Sequence, residues 1–291
     1  MSTRVIHLPK LERTAITSEQ VLRVVLITTT VIVMTLFFIM PLVVVFVNAF
    51  RGGLGAYTAA LSHPHTLAAI KLTAIAVLVS VPLNTLLGLG AAWLVTRHKV
   101  PGRSLLLTLI DMPFTISPIV SGLMFVLIFG SHSLLGAWLI EHGIRIVFAV
   151  PGIILATTFV TFPFVVRELI PVMDSLGSDE ELAGVSLGAW GWTLFRKITL
   201  PNIRWGLLYG IILCTARAIG EFGAVSVVSG HIRGRTNTIP LHIEVLFNEY
   251  QTTAAFAVAS LLTFFALVTL IAKEIVMRQV HRKNDQDSSV S

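Results

Sequence analysis

Arg217 and Glu221 stand four residues apart in an otherwise apolar run, Trp205 to Gly230. On a helix that spacing puts both on one face, where each can satisfy the other. A charge at the bilayer centre costs roughly 2.5–3.5 kcal/mol on insertion scales, so a partner or water must compensate it. Two readings stay open: a polar face on a solute route with Arg217 attracting anions, or a neutral ion pair fixing the helix in a bundle. A second polar run is Asp111-Met-Pro113-Phe-Thr115-Ile-Ser117-Pro118, followed by Ser121-Gly122. Each proline removes a helix hydrogen bond, and nearby hydroxyls can satisfy the freed carbonyls. Interrupted helices line substrate routes in transporters; the alternative is a kinked packing helix with Ser and Thr as local glue. Asp111 lies near one end of its run, within reach of the headgroups.

The remaining pattern offers little chemistry. The single cysteine, Cys214, forms no disulfide framework or zinc ligand pair. There is no Gly-Lys dipeptide for a phosphate-cradling loop and no HExxH. His63-Pro64-His65 and His132 lack carboxylate or cysteine partners at ligand spacing and read as solvated. The chain is expected to bind no metal or cofactor and to make and break no bonds itself. An intramembrane enzyme using Asp111 and Glu221 is weighed against that and lacks a nucleophile, a metal cluster and a cofactor loop.

Elements long enough to hold these residues in lipid are plain in the composition. Of 291 residues 55% are hydrophobic and 12% charged, and mean hydropathy is +0.85. That is about half the charge of an average soluble protein, too little to solvate a globular surface. A spanning helix needs about 20 apolar residues. Such runs extend over Val24 to Phe50, Leu72 to Thr96, about Leu105 to Phe129, Ile146 to Val166, Trp205 to Gly230 and Thr252 to Ala272, giving six spans. The sequence therefore predicts an all-α polytopic membrane protein in contact with lipid. The first run is about twice as long as a signal h-region and reads as a retained helix. Lysine and arginine divide fifteen to five between alternate segments, which puts both termini in the cytoplasm. The net charge of +6 is then a matter of cytoplasmic loops, not of nucleic acid. Residues 284–291 are polar and expected to be disordered.

The loop 167–204 is too long for a simple connection. Ser178-Asp179-Glu180-Glu181 reads as a capping box starting a short helix that breaks near Gly188. A second helix follows Trp190-Gly191-Trp192 and is expected to stop at Leu200-Pro201-Asn202. Such a hairpin either docks another protein or lies on the headgroups.

Within this loop, Leu182-Ala183-Gly184, three residues, Gly188, nine residues, Ile198, one residue, and Leu200-Pro201 resemble the "EAA" signature of ABC importer permeases. Leu182 stands where that signature has Glu, with Glu181 one residue early, and Gly184 replaces its second Ala. Asn84 to Gly88, Ala92 to Arg97, Pro101 to Arg103, Asp111 to Phe114 with Ser117-Pro118, and Thr161 to Glu168 resemble the sulfate/thiosulfate permeases. So do Leu200 to Trp205 and Ala216 to Gly230, most closely the CysW-type subunits. The resemblance implies a type I ABC importer permease fold in the bacterial inner membrane. It implies a tail over 1–23, a first helix over 24–50, a permease domain over 66–272 with its coupling loop at 167–204, and a C-terminal tail over 273–291. It also implies a CysT-type partner permease, two ATP-binding subunits holding ATP and Mg, and a periplasmic sulfate- or thiosulfate-binding protein. Glu181, Leu182, Ala183, Gly184, Gly188, Ile198, Leu200 and Pro201 would meet the ATPase. Arg217, Glu221, Ser117, Ser121 and Asp111 are the candidates for path or gate. A dianion held by a permanent cationic cluster would not be released, so neutral donors such as Ser117 and Ser121 make the more sensible path. Molybdate or tungstate on the same architecture is the nearest alternative; a proton-coupled carrier using Glu221 is a further one.

Overall fold

The computed structural model describes residues 18–288 apart from Lys99, and its regular elements among them are all helical. In chain order they are α1 (Ser18–Phe50), α2 (Gly53–Ser62), α3 (Pro64–Arg97), α4 (Arg103–Thr115), α5 (Pro118–Phe129), α6 (Leu134–Glu141) and α7 (Val150–Leu176). Then come α8 (Asp179–Ser186), α9 (Gly191–Leu194), a π turn (Phe195–Thr199), α10 (Leu200–Ile219), α11 (Gly223–Ser229), α12 (Ile239–Asn248) and α13 (Thr252–Ser288). Most of the expected tail 1–23 lies outside the described residues, and Arg23 is already part of α1.

Among the described residues, five helices are long and apolar enough to cross a membrane: α1, α3, α7, the continuous stretch Gly191–Ile219, and α13. The expected third span is instead a pair, α4 and α5, bent by 106°. Pro118 opens α5 and forces Ser117 before it into extended backbone, ψ 135°. At about 1.5 Å per residue neither half reaches across a roughly 30 Å core alone. The fifth span differs too. It ends at Ile219 rather than Gly230, and a separate helix, α11, follows the break.

The other boundary corrections have local causes. Helix α7 runs through Arg167-Glu168 to Leu176, so the loop begins ten residues later than the charges suggest. Leu200-Pro201-Asn202 does not stop a helix but lies in the first turn of α10. Proline cannot donate to the ladder, and its ring crowds the carbonyl four residues back. The π turn just before it opens the ladder, with the Leu200 N–H donating to Phe195 O, and lets the helix pass. Residues 284–288, expected to be disordered, continue α13; residues 289–291 lie outside the described part.

The chain divides into two units at Val44/Val45. In the first, the described part of α1 leaves its apolar side chains exposed, Phe37 and Phe38 by more than 70%. The second unit is organised around α7. Gly88 of α3 and Gly210 of α10 both press on Val165: a Cβ on Gly88 would lie 2.9 Å from the Val165 side chain, and one on Gly210 3.3 Å from its Cα. Lipid supplies no hydrophobic drive between helices, so close approach over small residues is what packs them. Val81, Ala92, Val165, Leu169, Met173, Ile203, Cys214 and Ala218 form the resulting core.

Candidate coupling and permeation sites

Helix α7 ends at Gly177, whose φ of +62° turns the chain into α8. Ser178 takes the N-cap position, but its side chain makes no capping bond, so the expected capping box does not form. Glu181 is engaged elsewhere. Its carboxylate lies 2.8 Å from Nε of Arg97, the last residue of α3, and accepts from the Thr199 hydroxyl at 2.9 Å. Arg97 also donates from Nη1 to the Met173 carbonyl of α7 at 3.1 Å. The Arg97 and Glu181 side chains are 11% and 14% exposed. One guanidinium therefore ties the ends of α3 and α7 to α8. Glu180 accepts from Asn202 at the start of α10.

This arrangement explains both departures from the signature. Successive helix residues point about 100° apart, so with Glu181 turned inward Leu182 turns out and is 60% exposed. Gly184 is buried under the π turn: a Cβ there would meet Ile198 Cδ1 at 2.5 Å and Leu194 Cδ1 at 2.9 Å. Ala183 lies on α8 between Leu182 and Gly184. Gly188 has φ +86° with open space around it, so its requirement is backbone conformation, not room. Beyond α8 the loop exposes Leu187, Trp190 and Trp192 by 70% or more. Ile198 and Leu200-Pro201 hold the π turn and the start of α10 rather than reaching the exposed tip.

Gly184-Val185-Ser186-Leu187-Gly188 also has the GxSxG spacing of a nucleophile elbow. Ser186 lies on the last turn of α8 and donates to Leu182 O at 3.0 Å. The elbow requires a strand-to-helix turn, so here the spacing is coincidental.

The two helix breaks of the bundle meet. A Cβ on Gly223 would lie 2.8 Å from Pro118 Cβ, and one on Gly122 would lie 2.6 Å from Ala224 O. Glu221 sits in the break after α10, not on a continuous helix face as its spacing from Arg217 suggests. Its side chain is 1% exposed and lies 2.7 Å from Arg217 Nη1. The other carboxylate oxygen accepts from the Ala224 N–H at 3.0 Å. Glu221 thus satisfies an orphan donor at the start of α11 while balancing Arg217.

Ser117 and Ser121 part ways. Ser121 is buried and donates to Ser117 O at 3.3 Å, so its proton is spent on its own helix and it offers no donor to a path. Ser117 is exposed, and its hydroxyl has no hydrogen bond among the described residues. Asp111 pairs with Arg167 of α7 at 2.7 Å. The guanidinium lies 4.7 Å from the Phe114 ring centroid. Asp111 and Glu221 thus have separate partners, and no described contact joins them.

Three features escape residue patterning. Arg97 and Arg167 read only as topological charges, because their partners lie on other elements. Asn84, Thr161 and Cys214 form a buried polar cluster across α3, α7 and α10, with Asn84 Nδ2 donating to Thr161 Oγ1 at 2.7 Å. Its members sit 77 and 53 residues apart, so no local spacing announces it.

A bundle of apolar helices with two touching breaks and an anchored loop of exposed Leu and Trp defines the membrane component of a transporter. The chain belongs to the family described as "Binding-protein-dependent transport system inner membrane component", whose model matches residues 84–282. It is 54% identical to the sulfate transport system permease protein CysW of Escherichia coli (strain K12), over 82% of each chain. Identity to CysW of Synechocystis sp. is 49%, over 84% of this chain and 89% of that protein. The E. coli permease protein CysT is 32% identical over 88% of this chain and 92% of its own. A chain of the bacterial alginate ABC transporter, solved with an alginate pentasaccharide-bound periplasmic protein, has TM-score 0.69 over 92% of this chain and 96% of that one. At 18% identity that likeness shows the fold.

Proposed function

We propose that the chain is the CysW-type permease subunit of an ATP-driven importer of sulfate and thiosulfate. It pairs with a CysT-type permease, two ATP-hydrolysing subunits that hold ATP and Mg, and a periplasmic binding protein. Its termini and the 167–204 loop face the cytoplasm, in keeping with the excess of lysine and arginine in those segments. The permease domain takes in residues 66–272.

The observation that carries the coupling role is the anchored loop. Helix α8 is pinned from behind by Arg97 and Thr199, while Leu182, Leu187 and Trp190 face away from the chain. A hairpin lying on headgroups needs no such anchor; a lever that passes force from an ATPase to α3, α7 and α10 does. For the solute, the Arg217–Glu221 pair leaves no uncompensated cation at the breaks. A dianion passing neutral donors such as Ser117 can leave as readily as it enters. Hydrolysis in the ATPase subunits, not a proton on a capped and ion-paired Glu221, supplies the drive.

Changing Leu187 to Asp together with Trp190 to Ser tests the docking face. The ATPase is expected to be lost from the co-purified complex while the chain stays in the membrane. Undiminished co-purification would contradict the reading.

A further inference from the structure

The end of the bundle opposite the coupling loop holds a cavity of about 590 Å³ walled by α2, the α2–α3 junction, α12 and the start of α13. Its polar lining is His63, His65, Thr66, Arg233, His242, Glu249 and Gln251. The His63 and His65 rings lie 5.3 Å apart across Pro64. His242 is 4% exposed, and its Nε2 lies 3.0 Å from the Thr66 hydroxyl. That hydroxyl donates its one proton to Ala60 O at 2.9 Å, so Nε2 carries the proton and donates to Thr66. Nδ1 of His242 then has no hydrogen-bond partner among the described residues. The Arg233 guanidinium is paired with Glu249.

We propose that this cavity is a docking site for a tetrahedral oxyanion, held by Arg233 and the imidazoles of His63 and His65, with Glu249 as the internal anion it displaces. The site opens outward only if the orientation proposed above holds; its chemistry does not depend on it. No group of three His, Cys, Asp or Glu among the described residues is placed to hold a metal. What converges instead is one guanidinium and two ring systems, His63 and His65, able to donate; His242 spends its proton on Thr66. Burial, then His65, His63 and Arg233, push the His242 imidazole down to about 4. Burial is the chief cause, and an incoming anion opposes only the smaller contribution of the neighbouring groups.

The titratable and charged groups facing the cavity are His63 and His65 from the α2–α3 junction, Arg233 from the loop before α12, and His242 and Glu249 from α12. The residues lining it from α2 and α13 are uncharged. Protonated imidazoles bind an anion better than neutral ones, so binding takes up protons and strengthens as pH falls.

The test uses the purified full chain in phosphatidylcholine nanodiscs, with labelled sulfate against chloride at matched ionic strength. Sulfate is expected to bind more tightly at pH 6 than at pH 8. Arg233→Gln should weaken it about tenfold. Glu249→Gln should tighten it about tenfold, a gain that misfolding does not produce. Sulfate binding that none of these changes moves, or no oxyanion binding at all, overturns the site. Molybdate binding that responds to both variants while sulfate does not bind keeps the site and removes the sulfate reading. Phosphatidylglycerol nanodiscs that suppress sulfate binding in the parent chain, with the change at Arg233 abolishing that competition, identify a lipid headgroup as the resident oxyanion and uphold the site.

Discussion

Replacing Arg97 with Met, Glu181 with Leu, and then both, asks whether the coupling helix hangs on one ion pair. Each single change strands a charge that is only 11% or 14% exposed. Stranding a fully buried charge costs about 3–5 kcal/mol. Partial hydration at the loop end reduces that to about 2–3 kcal/mol here. Losing Glu181 also frees the Thr199 hydroxyl, for about 1 kcal/mol more. The double change removes both charges and fills their space with apolar side chains, which is near neutral relative to the intact pair. The singles together cost about 5–7 kcal/mol and the double little beyond the freed Thr199 hydroxyl, about 1 kcal/mol, so a coupling energy of about 4–6 kcal/mol is expected. It would be read from equilibrium unfolding of the purified chain in mixed micelles, followed by the fluorescence of Trp190 and Trp192. If the double change costs the sum of the singles within about 0.5 kcal/mol, the two residues act independently and the anchoring account fails.

Three further outcomes are expected. Gly188→Val should destabilise the loop by about 1–2 kcal/mol, because a β-branched residue resists the φ of +86° there, and should weaken ATPase co-purification; Gly188→Asn should be milder. Arg217→Ala should lower sulfate uptake more than Arg217→Ala with Glu221→Ala, since the single change leaves a buried carboxylate unbalanced; Glu221→Gln, which keeps an acceptor for the Ala224 N–H, should be milder than Glu221→Ala. Ser117→Ala should reduce uptake, whereas Ser121→Ala should leave it nearly unchanged because that hydroxyl only serves its own helix. Equal effects of the two serine changes would count against a path beside Ser117.

The apolar runs made the membrane class and most spans legible, because a helix in lipid must be apolar along its whole length. What they hide is where a helix breaks. The runs over 105–129 and 205–230 have the length of single spans, yet Pro118 and the Gly220–Gly223 segment turn each into two helices. A window of mean hydropathy does not register a backbone turn inside lipid. Charges misled in a complementary way: Arg167-Glu168 looked like the end of a span, although Arg167 is answered by Asp111 and α7 continues past it. In the loop the spacing from Gly188 to Pro201 was readable because it is local. The inward turn of Glu181 was not, since its partners Arg97 and Thr199 lie 84 and 18 residues away.

Uptake of labelled sulfate is the most direct test of the central claim. Cells lacking this gene and any duplicate system, but retaining the partner subunits, would be compared with and without the chain restored. Restored uptake that thiosulfate blocks and molybdate does not is the expected result. Sulfate uptake that is unchanged by loss of the chain would contradict the assignment.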